Sequence, residues 1–237
     1  MNPNEGFSLE TTKALTDHLT DFISERRAEV LQEAINRRTR YLTVVLEDIY
    51  QSQNASAVLR TCECYGIQNI HIIENFNTFT LSPKVTLGAS KWLTLSNYTN
   101  PENNSATNTQ RAIDTLKSEG YRIIATSPHA KSDLDSFDIL KGKFALLFGT
   151  ELSGLSDDAL ENADETIRIP MVGLTESLNL SVTAAICIHS LLSRLRKSEI
   201  NISLADEEKN NLYLEWIRKS IKDCESIEKR FFAENSS

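Results

Sequence analysis

Three stretches of this sequence put amide, hydroxyl and acidic side chains directly after an apolar run, where a folded chain most readily builds a site. The first is Asn54 to Arg60 (NASAVLR), which follows Tyr41 to Leu46 (YLTVVL). An amide orients a neighbour by hydrogen bonds, and a guanidinium grips a phosphate through two parallel ones. The two residues lie six apart and share no stripe of a regular helix, so they meet only if Asn54 stands at or before the helix start. The plainer alternative is a capping Asn54 with a surface Arg60. The second stretch is Phe148 to Gly154 (FGTELSG). Gly149 lets backbone approach a ligand closely and Glu151 adds a carboxylate; a simple glycine turn fits equally well. The third runs from Ile169 to Val182 (IPMVGLTESLNLSV), where a polar loop leads into an Ala-rich helix. Ser177 and Asn179 stand where capping residues belong, and where small polar groups and free backbone N–H groups face a ligand.

These segments need a scaffold. The spacing of apolar residues predicts a helix over Thr11–Arg38, strands at Tyr41–Leu46, Ile70–Ile73, Tyr121–Ala125, Lys143–Phe148 and Thr166–Ile169, and helices at Asn54–Gly66, Thr109–Ser118, Asp157–Asn162 and Leu180–Lys197. The stretch Asn97–Asn108 reads as a loop, and Leu204–Phe232 as an amphipathic tail with Leu214, Ile217, Ile221, Cys224 and Ile227 on one side. Strands alternating with helices predict an α/β fold: a mostly parallel sheet with helices on both faces. Ligands bind such sheets at the carboxyl ends of the strands, where all three stretches fall. The expected organisation is a helical extension at 1–40, a core domain at 41–198 and a second helical extension at 199–237.

Other chemistries find little support. The four histidines sit in separate, ordinary contexts, and no G-x-S-x-G nucleophile turn occurs. Neither a phosphate-binding G-x₄-G-K-S/T loop nor a dinucleotide G-x-G-x-x-G is present, which weakens NTPase and oxidoreductase readings. Cys62, Cys64, Cys187 and Cys224 lack metal-ligand spacing, so no metal is expected. No apolar run has membrane-helix length and the N-terminus is polar, so the expected setting is the cytoplasm, away from membranes. The net charge of −8 argues against a polyanionic partner, but most of it falls between residues 41 and 193. Basic clusters at Arg37, Arg38 and Arg40, and at Arg194, Arg196 and Lys197, are candidate phosphate contacts, or simply solvated helix faces.

Taken together, NASAVLRTCECYG, LLFGTELSGLSDDAL and IRIPMVGLTESLNLSVTAA resemble, in order and spacing, the three motifs of the SpoU-type (TrmH-like) RNA ribose 2′-O-methyltransferases. GASKW (Gly88–Trp92), the IIAT strand end and both terminal helices are similar to the branch that methylates the D-loop guanosine of tRNA. The resemblance implies a C-terminal deep trefoil knot, a homodimer, S-adenosylmethionine as methyl donor and tRNA as substrate, with another RNA as the alternative. It implies catalytic roles for Arg60, Asn54, Glu151, Ser177 and Asn179, and cofactor contacts from Thr126, Gly149, Ile169, Met171, Gly173 and Leu178. Arg37, Arg38, Arg40, Lys91, Arg194 and Arg196 become the candidate RNA contacts. The chain is more acidic than the branch suggests, and ELSG replaces a bulkier, more basic loop.

Overall fold

The computed structural model describes residues 9–99 and 106–235. The chain divides into two compact units, one formed by residues 39–202 and the other by residues 1–38 together with 203–237.

The larger unit is an all-parallel sheet of seven strands: β1 (Leu42–Glu47), β2 (Asn69–Glu74), β3 (Thr94–Thr99), β4 (Arg122–Thr126), β5 (Ser132–Asp133), β6 (Phe144–Phe148) and β7 (Glu165–Arg168), in the order β3-β2-β1-β6-β4-β7-β5. The chain grows outward from β1 through β2 to β3, then crosses to the other side for β4. The sheet therefore reverses direction of growth next to β1, the position where a parallel sheet opens a crevice at its carboxyl edge.

Strand residues alternate between two cores. Leu42, Val44 and Leu46 of β1 join Val58, Leu59 and Cys62 of α3 (Ser52–Tyr65) and Ala184, Ile188 and Leu191 of α7 (Leu180–Lys197). Val45 points the other way, into a core with Ala112 and Leu116 of α5 (Ala106–Ser118) and Ala159 of α6 (Asp157–Glu161). Because both faces are covered, the central strands are predominantly apolar, which is why YLTVVL and KFALLF are readable. The edge strand β3 is not: of TLSNYT only Tyr98 is buried, so its sequence reads as a polar loop. Residues 100–105 of the stretch assigned to that loop lie outside the described residues. A short helix α4 (Pro83–Thr86) and a 3₁₀ turn at Ala89–Trp92 precede β3.

Helix ends follow capping rules. Gly66 adopts φ 79° and closes α3, its N–H meeting the carbonyls of Cys62 and Glu63. Asn179 caps α7, accepting from the backbone N–H groups of Ser181 and Val182.

The smaller unit corrects one expectation. Residues 11–38 are not one helix but two, α1 (Leu9–Thr20) and α2 (Glu25–Asn36). Ser24 caps the second, accepting from Arg27 N–H. The break is hard to read because apolar residues continue on both sides of it, Phe22 and Ile23 before Ser24 and Val30 and Leu31 after. These helices pack on α8 (Asp206–Ser220) and α9 (Cys224–Glu234), with Trp216, Leu214 and Ile217 at the centre. The two terminal segments thus share one core.

His71 on β2 is buried, its Nδ1 3.0 Å from the Tyr98 hydroxyl and its Nε2 without a hydrogen-bond partner. Burial pushes its pKa down to about 4. The unfolded chain takes up this proton near pH 6.5 and the folded chain does not, so stability is full above that pH and drains away as pH falls toward 4. Up to roughly 3 kcal/mol is at stake. Thermal melts between pH 7.5 and 5 are expected to show this slope in the wild type and to lose it in His71→Phe; equal slopes would assign the acid sensitivity elsewhere.

Candidate active site

The three stretches converge at the carboxyl edge of the sheet. Asn54 is not the cap of α3: Gln51 is, and Asn54 lies within the first turn, 7% exposed. Its amide nitrogen donates to Gln51 Oε1 at 3.2 Å and to Glu151 Oε1 at 2.6 Å. Its carbonyl oxygen accepts from Asn179 Nδ2 at 3.1 Å. Asn179 Oδ1 in turn receives Ser181 N–H and the Ser181 hydroxyl at 2.8 and 2.6 Å. One hydrogen-bonded chain, Glu151–Asn54–Asn179, therefore links residues 97 and 125 positions apart. Asn54 uses both of its N–H groups within the fold, so it sets the positions of its neighbours. Glu151 keeps one carboxylate oxygen without a protein partner among the described residues.

The loop carrying Glu151 is held from two sides. Thr150 and Gly154 pair across it through mutual backbone hydrogen bonds of 2.9 and 3.1 Å. Gly149 is required there, since a Cβ would stand 2.1 Å from the Gly154 carbonyl oxygen and 2.3 Å from Leu155 N. The close approach this glycine permits is to its own loop. Below, the buried carboxylate of Glu47 accepts from Ser156 N–H and hydroxyl at 2.9 and 2.8 Å and from the Thr109 hydroxyl at 2.6 Å. Sequence reasoning passed over Glu47 and Gln51. The available signal was an acid closing an otherwise apolar strand (YLTVVLE), which must find partners when buried.

Arg60 is exposed, and among the described residues its guanidinium has neither an ion pair nor a hydrogen bond. It lies on the same helix as Asn54 but on a different face, one outward and one inward. The structure does not bring the two side chains together. Ser177 is likewise exposed, with no side-chain hydrogen bond among the described residues.

The loop between β7 and α7 is open. Ile169 packs on the core, whereas Met171, Val172, Leu174 and Leu178 are exposed around Gly173. These apolar side chains, with peptide groups that make no backbone pairing among the described residues, suit an adenosine and an aliphatic chain: apolar surface for the ring, N–H and C=O groups for its edges. Thr126 closes β4, its hydroxyl donating to Leu147 O at 2.7 Å. Among the described residues no cluster of His, Cys, Asp and Glu is placed to hold a metal, and no helix is long and apolar enough to cross a membrane.

The basic candidates separate by burial. Arg38 is 3% exposed and stacks over Trp216 at 4.8 Å, so it belongs to the smaller unit's core and is withdrawn as an RNA contact. Arg38→Ala is expected to destabilise that unit by about 1–2 kcal/mol through the lost stacking and stem packing, with RNA affinity unchanged. Calorimetry alongside a filter-binding titration checks both halves. Arg194 is half-buried, donating to the carbonyls of Leu134 and Phe137, and Arg40 reaches Asn69 Oδ1 at 3.0 Å. Arg37, Lys91 and Arg196 are exposed, although Arg196 also reaches Tyr65 O.

Comparison with known proteins agrees with this architecture. A tRNA (guanosine(18)-2′-O)-methyltransferase from Borreliella burgdorferi is 47% identical over 89% of this chain and 93% of its own length. The enzyme of the same name from Thermus thermophilus is 30% identical, covering 83% of this chain and 98% of its own. The crystal structure of the A. aeolicus TrmH/SpoU tRNA modifying enzyme superposes with a TM-score of 0.73 at 26% identity, across 84% of this chain and 98% of that one. Residues 41–189 match the model of the SpoU rRNA methylase family, the same span that carries the sheet and the Glu151–Asn54–Asn179 chain. By domain match and by near full-length similarity, this chain belongs to the SpoU methylase family.

Proposed function

We propose that this protein is a tRNA (guanosine(18)-2′-O)-methyltransferase, transferring a methyl group from S-adenosylmethionine to the ribose 2′-OH of a D-loop guanosine. The observation that carries this reading is the hydrogen-bonded chain that draws residues of all three motif stretches to one sheet edge. The near full-length similarity to a tRNA enzyme, 47% identical, favours tRNA over ribosomal RNA.

S-adenosylmethionine supplies a methyl group on a positively charged sulfur. The loops ending in Thr126, Gly149 and Ile169 to Leu178 would hold it, with Met171, Gly173 and Leu178 against the nucleoside. We assign Arg60 to a phosphate beside the target ribose. A guanidinium carries no lone pair free to take a proton, but its fork of N–H groups suits a phosphate and steadies charge developing on the 2′-oxygen. Asn54 and Asn179 fix Glu151 and the start of α7, and Ser177 lies on the loop that the two brace. The protein acts as a cytoplasmic homodimer with a trefoil-knotted C-terminal part, and Arg37, Lys91 and Arg196 contact the tRNA backbone. The unit at 39–202 is the catalytic domain, and the helical unit assists RNA capture.

The test is transfer of radiolabelled methyl to tRNA transcripts that carry guanosine or 2′-deoxyguanosine at position 18. Labelling of the first and none of the second is expected. Equal labelling of both, or labelling of ribosomal RNA alone, would overturn the proposal.

A further inference from the structure

Tyr50 and Phe76 are the most exposed aromatic rings among the described residues, at 75% and 83%. Both follow the carboxyl ends of neighbouring strands, β1 and β2. Glu47 of β1 pairs with Ile73 of β2, and each ring comes three residues after its strand's paired position. The loop that carries Phe76 is braced against the loop that carries Tyr50. Asp48 adopts φ 55°, an unusual backbone for a residue with a side chain, and its Oδ1 accepts the N–H groups of Asn75, Phe76 and Asn77 at 2.8, 2.8 and 3.0 Å. Asn77 Nδ2 returns a bond to Asp48 O at 2.9 Å, and Glu74 Oε1 takes Phe79 N–H at the loop's far end. On the other side Tyr50 precedes Gln51, which receives a hydrogen bond from Asn54.

The fold thus commits a buried carboxylate and a left-handed residue to hold two rings in water, one step from the Glu151–Asn54–Asn179 chain. We propose that Tyr50 and Phe76 form a stacking platform for unpaired nucleobases of the RNA substrate. The substrate class rests on the methyltransferase reading above. Base–ring stacking suits a chain of net charge −8, because it adds affinity that does not depend on positive charge. Arg60 lies on α3, the helix that begins just after Tyr50, which puts a phosphate-binding group and a base-binding surface on one short segment. Asp48 is then a positioning residue that acts through the loop at 75–77.

The experiment uses the full chain and a short single-stranded RNA containing 2-aminopurine, whose fluorescence is quenched on stacking. Wild-type protein is expected to quench it. Tyr50→Ala and Phe76→Ala are each expected to weaken binding about tenfold, with Tyr50→Phe and Phe76→Trp retaining it. Both rings are exposed, so melting temperatures are expected to stay put, and the variants remain interpretable. In methyl transfer, the alanine variants are expected to raise KM for tRNA with little change in kcat. Affinities within about twofold of wild type for both alanine variants, or an unchanged KM, would overturn the platform. Ring-dependent quenching by a wild type that methylates no RNA would support the platform and overturn the methyltransferase reading.

Discussion

Alanine at position 60 is expected to lower kcat/KM for tRNA by about 10³-fold while leaving the fold and cofactor affinity intact. The size follows from the assigned role. A charge-assisted, bidentate grip on a phosphate beside the reacting ribose both places the 2′-oxygen and stabilises its developing charge, and loss of a single such donor group commonly costs 10²- to 10³-fold. The sparing of the fold follows from geometry: the side chain is exposed and bonded to nothing else among the described residues, so stability is expected to change by less than about 0.5 kcal/mol. Arg60→Lys keeps the charge but loses the fork, and is expected to recover only a small part of the rate. Single-turnover methyl transfer, a melting curve and a cofactor titration measure the three quantities separately. Transfer within about tenfold of wild type would remove Arg60 from the reaction.

The parts of this molecule that were readable in sequence are those whose physics is local or doubly buried. β1, β2, β4 and β6 announce themselves because a strand covered on both faces is mostly apolar along its run, and β7 is marked by a short β-branched stretch that Pro170 stops. Helix α7 has the bounds expected of it, Leu180 to Lys197, since its asparagine cap and its basic last turn are local signals. β3 escaped because a sheet edge tolerates Ser96 and Asn97, and the break between α1 and α2 escaped because apolar residues continue on both sides of the serine cap. For the site, residue types and spacing alone left Asn54 readable as a cap. Family resemblance put it with Glu151 and Asn179, and the fold explains why spacing could not: the partners are 97 and 125 residues distant and meet only after strands β1 and β6 pair. Counting charges failed differently. Arg38 adds to a basic cluster on paper, but its guanidinium lies on an indole face, and burial is not legible from charge.

Asn54→Asp tests the hydrogen-bonded chain with the smallest possible change of shape. An aspartate keeps the oxygen that accepts from Asn179 but loses the two N–H groups that reach Gln51 and Glu151. At the Glu151 contact, a donor and a carboxylate 2.6 Å apart become two carboxylates. Above pH 7 both prefer to ionise, and the substitution is expected to cost about 2–3 kcal/mol and to free the Gly149–Gly154 loop from α3, with a loss of methyl transfer of at least tenfold. Repulsion raises the folded-state pKa of one carboxyl above its unfolded value near 4, so the sign is fixed. Below the unfolded value both states are protonated, a shared proton restores a hydrogen bond, and the variant lies closest to wild type. As pH rises through the elevated folded pKa, the penalty grows to its full size. Melting temperature and single-turnover rate, each taken as a ratio of variant to wild type from pH 5 to 8, are expected to fall together as pH increases. Asn54→Ala, which removes donor and acceptor alike, is expected to show a low ratio that does not vary with pH. A flat profile for the aspartate variant would mean that Asn54 and Glu151 are not in contact in the working enzyme.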